Sequence, residues 1–100
     1  MKLWIDDLRE APEGYTWCKS VNDAKILISL CVLFKSEDIE LIDIDHDAGD
    51  YACEGGDYIK LLDWLEETGR SYPIRIHSQN PVGVENMHRI IERNGWREIR

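Results

Sequence analysis

The sequence predicts a single α/β domain built on a mostly parallel sheet. Three observations carry that expectation. Short apolar runs alternate with segments of helical period along the whole chain, no internal repeat or linker divides its 100 residues, and the most polar residues cluster directly after the apolar runs. Alternating strands and helices imply right-handed crossovers, parallel strand pairing and helices on both faces of the sheet. A chain of this length supports one hydrophobic core and is too short for two, so residues 1–100 read as one domain.

Taken in order, Lys2 to Asp6 reads as a short apolar strand. Leu8 to Gly14, punctuated by Pro12 and Gly14, reads as a loop, and Tyr15 to Lys19 as a second strand. Ser20 opens a helix: Ser20-Val21-Asn22-Asp23 has the spacing of a capping box, and Val21, Ala24, Leu27, Ile28 and Cys31 recur at helical period. Glu40 to Ile44 is the strongest strand signal. The turn Gly55-Gly56-Asp57 leads into a second helix with Ile59, Leu62 and Leu65 on one face and Gly69 as its stop. Ile74 to Ser78 follows as a strand. Asn80-Pro81 then places a capping side chain ahead of a first-turn proline and opens a helix with Val84, Met87 and Ile91 on one side, ended by Asn94-Gly95. Trp96 to Ile99 reads as a last short strand.

A net charge of -8 repels polyanions and anionic membrane surfaces alike, so neither an extended nucleic-acid surface nor a membrane partner is expected. A short RNA end held through a metal remains compatible with that charge. The start, MKLWIDD, lacks the features of a secretory signal, and the apolar run from Ile26 to Phe34 is too short to span a bilayer, so a cytoplasmic location is expected. Cys18, Cys31 and Cys53 are odd in number and lack CxxC spacing, which suggests neither a disulfide framework nor a zinc site.

The stretch LIDIDHDAGDYACEGGD, from Leu41 to Asp57, poses the functional question. A buried-type strand is interrupted by Asp43 and Asp45 and followed by His46 and Asp47. Carboxylates removed from water repel one another unless a cation or a hydrogen-bond network compensates them. Asp6 and Asp7 end the first strand and His77 and Ser78 the fourth, so three strands deliver their unusual polar residues to one edge of the sheet, where α/β folds bind ligands. Asp50, Glu54 and Asp57 read more simply as solvated loop residues or helix-start charge, and His88 within a helix as structural. The four tryptophans read as core or half-buried anchors.

An acidic pair after the first strand, an Asp ending the third and a Ser ending the fourth resemble the site pattern of response-regulator receiver domains over nearly the whole chain. The resemblance implies a receiver-like (flavodoxin-like) fold in which Asp6 and Asp7 match metal-binding acids, Asp43 the phosphoacceptor, and Ser78 the hydroxyl that contacts the phosphoryl group. The chain departs from that pattern in three places. A loop replaces the first receiver helix, the last helix is missing, and Trp96-Arg97-Glu98-Ile99 lacks the Lys-Pro that holds an acyl phosphate in receivers. Together WIDDLR, DIDHD and HSQNPVG look like the reduced receiver-like family proposed to process cyclic phosphates.

The residues suit that chemistry on their own terms. Mg²⁺ or Mn²⁺ takes oxygen ligands, which Asp6 and Asp7 together with Asp43, Asp45 or both would supply. Ser78, Asn80 at a helix start and Arg9 are candidate phosphate contacts, and His46 or His77 is the candidate proton-transfer group. The expected activity is that of a metal-dependent phosphoesterase acting on a 2',3'-cyclic or terminal phosphate of a small nucleotide or RNA end. The alternative is a non-catalytic module of the same fold that binds metal or a protein partner.

Overall fold

The computed structural model describes residues 1–100. Four strands form, β1 (Lys2–Ile5), β2 (Tyr15–Cys18), β3 (Leu41–Ile44) and β4 (Ile74–Ile76), with three helices, α1 (Val21–Phe34), α2 (Ile59–Thr68) and α3 (Pro81–Asn94). The sheet has the order β2-β1-β3-β4 and every pairing is parallel. The expected α/β class with a parallel sheet is what the chain forms, and a loop stands between β1 and β2 as expected. No helix is long and apolar enough to cross a membrane.

Local chemistry explains the element ends. Ser20 Oγ accepts from the Asp23 N–H at 3.0 Å, and Asn80 Oδ1 accepts from the Gly83 N–H at 3.0 Å, so each side chain satisfies a donor that its helix start leaves open. Gly69 and Gly95 close α2 and α3 in the left-handed region. Two expectations are corrected. Trp96 to Ile99 makes no strand: β4 is three residues long and offers a single rung, the bridge between Ile74 and Glu98. Residues Gly49–Glu54, expected as loop, wind into a short 3₁₀ helix, with Asp50 and Glu54 exposed as expected.

The topology decides which face is covered. The crossovers through α1, α2 and α3 all advance in the same direction across the sheet, toward β4 and the segment beyond it. Right-handed connections running the same way lie on the same side. All three helices therefore cover one face, with α1 against α2 and α2 against α3. Leu3, Ile5, Cys18, Ile42, Ile44 and Ile74 point into this layer and share one core with Ile28, Leu62, Leu65, Met87 and Ile91. Only the β1-to-β2 connection runs the opposite way, and there the chain has a loop rather than a helix. The expectation of helices on both faces is corrected accordingly. The second face carries Lys2, Tyr15 and Leu41 in one register row and Trp17, Trp4, Asp43 and Arg75 in the next.

Candidate metal and phosphate site

Parallel pairing brings the ends of β1 and β3 side by side: the Asp45 N–H donates to Ile5 O at 2.9 Å, which seats Asp45 beside Asp6. One carboxylate oxygen from each of Asp6, Asp7 and Asp45 lies within 4.8 Å of the others. Asp6 is almost wholly buried, and its Oδ1 accepts from the N–H groups of Leu8 at 2.9 Å and Arg9 at 3.0 Å. Its Oδ2 faces His77 Nε2 at 2.9 Å. Burial alone would push the Asp6 carboxyl up, but the Arg9 and Leu8 amides and the His77 ring outweigh it and hold the carboxyl below its ordinary value. Asp7 behaves in the opposite way. Burial, then the charges of Asp6 and Asp45, push its carboxyl up.

The surroundings fit tightly around this cluster. Gly49 sits at φ 54°, and a Cβ there would overlap the Asp7 carboxylate, so the loop after β3 passes too close for any side chain. Tyr58 is fully buried and donates its hydroxyl proton to Lys19 O at 2.7 Å. Burial, reinforced by the charges of Asp7, Asp6 and Asp45, pushes its phenol far up and keeps it neutral.

Asp43 stands apart from the three clustered acids. It is buried, and its Oδ1 lies 2.6 Å from His77 Nδ1. His77 thus bridges Asp43 and Asp6, one ring nitrogen to each. Trp4 stacks flat on the His77 ring, with centroids 3.8 Å apart and planes 3° from parallel. The same indole donates Nε1–H to Arg9 O at 2.8 Å, and Arg9 Nη1 in turn donates to His77 O at 3.1 Å.

The remaining candidates gather at the start of α3. Ser78 Oγ accepts from the Asn80 N–H at 3.2 Å. Asn80 caps the helix through Oδ1 and points Nδ2 at Asp47 Oδ1, 3.3 Å away. His46 meets Asp47 Oδ1 through Nδ1 at 2.8 Å, and its ring rests against Gly83, where a Cβ would overlap it. No protein hydrogen bond engages His46 Nε2, whereas both nitrogens of His77 are taken.

The structure therefore assembles Asp6, Asp7 and Asp45, joins Asp43 to the cluster only through His77, and sets His46, Ser78 and Asn80 beside the α3 start. Gly49, Gly83 and Tyr58 also shape this region, and the sequence does not single them out. Their signals are faint, since a glycine two residues inside a helix reads as a mere propensity defect and a tyrosine before a helix as core.

The donor set fits a hard divalent ion. All three clustered groups are carboxylates, and Asp7 carries charge that nothing positive nearby compensates. Asp6 Oδ1 accepts two backbone hydrogen bonds and Oδ2 faces His77 Nε2, which leaves about one of its roughly four lone-pair positions for a metal.

The family model of the cyclic-phosphate processing receiver domain matches residues 1–93. No curated protein and no solved structure matches the chain. With the match running from β1 nearly to the end of α3, across every acid and histidine of the site, the chain belongs to the cyclic-phosphate processing receiver domain family.

Proposed function

We propose that the domain is a metal-dependent phosphoesterase that opens a 2',3'-cyclic phosphate on a nucleotide or RNA end. One observation carries the reading: Asp6, Asp7 and Asp45 converge at the strand ends, in a family named for cyclic-phosphate processing. Mg²⁺ or Mn²⁺ held by these three carboxylates would neutralise phosphoryl oxygens and lower the pKa of a bound water.

The chain's own residues divide the other tasks. In ring opening, a water oxygen forms a new bond to phosphorus, one ribose P–O bond breaks, and the released ribose oxygen takes up a proton. His46 is the better placed proton donor, because Asp47 holds Nδ1 while Gly83 fixes the ring and Nε2 stays unengaged. His77 is a positioning residue, since both its nitrogens are committed to Asp6 and Asp43. Its ring also gives two buried acids a shared hydrogen-bond partner. The α3 start contributes N–H groups and the positive end of a helix dipole near Ser78 and Asn80.

Asp43 speaks against an ordinary phosphorelay role. The position matching the phosphoacceptor is 2% exposed and hydrogen-bonded to His77, which bars it from attacking a phosphoryl donor. Phosphorus NMR of 2',3'-cyclic mononucleotides with Mg²⁺ or Mn²⁺ tests the proposal. Ring opening by wild type and its loss in Asp45→Asn support it. No opening across bases and both metals would favour the non-catalytic module.

A further inference from the structure

The sheet face left without helices is not a neutral surface. In a chain of net charge -8, its register positions hold Lys2, Tyr15, Trp4, Trp17, Leu41 and Arg75, and the one acid among these strand positions, Asp43, is buried and bonded to His77, while the β1-to-β2 loop reaches this face at Arg9, whose carbonyl accepts from Trp4. Tyr15 and Trp17 are two residues apart on the edge strand β2, so both rings stand on this same face. Both are half-buried rather than covered. Each carries a flexible ammonium over its ring: Lys2 Nζ lies 5.6 Å from the Tyr15 centroid and Lys19 Nζ 4.6 Å from that of Trp17.

This aromatic and cationic patch is continuous with the acid cluster. Trp17 donates Nε1–H to the Asp6 carbonyl at 2.8 Å, so the indole edge adjoins the backbone of a proposed metal ligand. Next to it in register, Trp4 stacks on His77, the ring that bridges Asp6 and Asp43.

We infer that the open sheet face is the nucleobase-binding subsite of this domain, taking the last one or two nucleotides of a single-stranded RNA end whose terminal phosphate lies at Asp6, Asp7 and Asp45. The inference rests on the phosphoesterase reading and names the substrate for that site. Every base has a stackable face, so rings interleaved with cations bind single strands without reading sequence. The lysine ends that lie over Tyr15 and Trp17 give way to the bases and pair with the phosphates between them. Charge complementarity selects this occupant: the chain as a whole repels a polyanion, whereas this face attracts a short one.

The test separates binding from turnover. Calorimetry with Mg²⁺ would compare three linear, non-reactive ligands: base-free ribose 3'-phosphate, a 3'-mononucleotide, and a dinucleotide ending in a 3'-phosphate. Wild type is expected to bind the dinucleotide about tenfold more tightly than the ribose phosphate, with little further gain for longer strands. Tyr15→Ala and the charge reversal Lys19→Glu should each bring the ligands to within about twofold, while Asp7→Asn weakens all three and preserves their order. Lys19→Glu leaves both rings intact, so it remains informative if Tyr15→Ala fails to fold. Equal affinities for base-free and base-bearing ligands in wild type, or an unchanged preference in Lys19→Glu, would overturn the subsite and leave any measured ring opening standing. A base preference without ring opening would instead defeat the phosphoesterase reading while keeping the subsite.

Discussion

His46 and Gly83 show how one missing methyl group makes room for a ring. Alanine ordinarily stabilises a helix relative to glycine by up to about 1 kcal/mol, yet at position 83 the new Cβ would strike the His46 ring. Gly83→Ala is therefore expected to lower turnover at least about tenfold without a gain in stability. Val82→Ala, one residue away and exposed, should change neither. Steady-state rates and thermal melts of the two variants check this. Asp7 gives a second residue-scale prediction. Burial and the charges of Asp6 and Asp45 raise its carboxyl above the ordinary value, so native stability is lost as pH rises through the raised value and the group ionises. Asp7→Asn should raise the melting temperature of the metal-free protein at neutral pH and shrink the increase that Mn²⁺ produces. The acids and histidines themselves were legible as a crowd of charge after three strands. Which of Asp43 and Asp45 joins Asp6 and Asp7 was not legible, because it depends on the strand-end register and on a partner, His77, that lies 34 residues away from Asp43 in sequence.

Among the elements, those with chemical end signals were readable and those defined by pairing were not. Ser20, Asn80, Gly69 and Gly95 each mark a helix end at the position where the sequence put it. The residues at 96–99 carry strand propensity, but β4 offers them one rung only, and no local pattern reports how long a neighbouring strand will be. The helix α1 blurs its own orientation, because Ile26, Leu30, Leu33 and Phe34 are exposed while Val21, Ala24, Ile28 and Cys31 are buried. The β4-to-α3 connection holds His77, whose two contacts make it sensitive to substitution. His77→Ala would leave Asp6 and Asp43 buried without their shared partner, and breaking such an arrangement costs about 3 kcal/mol or more. Denaturant unfolding should show that loss. His88→Ala, which removes a half-exposed partner of Glu98, is expected to cost about 1 kcal/mol.

For the molecule as a whole, the one-sided helix layer and the strand-end acids place the proposed metal, phosphate and base contacts at one end of the sheet and on its helix-free face. The parallel α/β class followed from alternation alone, while the helix-free face emerges only when strand order is combined with crossover handedness. A divalent ion that binds the folded state alone should stabilise it by about 2.7 kcal/mol at a hundredfold excess over Kd, a rise of roughly 10–20 °C for a domain of this size. Calcium, which tolerates looser coordination, should also bind, and chelation should reverse the effect. The central claim is that the three clustered carboxylates serve phosphoester chemistry rather than merely tolerate one another. Phosphorus NMR of a 2',3'-cyclic nucleotide incubated with the protein and Mn²⁺ tests it most directly. Conversion to a 2'- or 3'-monoester is expected, stopping on chelation and falling at least about a hundredfold in Asp45→Asn. An unchanged cyclic resonance in a sample whose melting temperature shows that the metal has bound would contradict it.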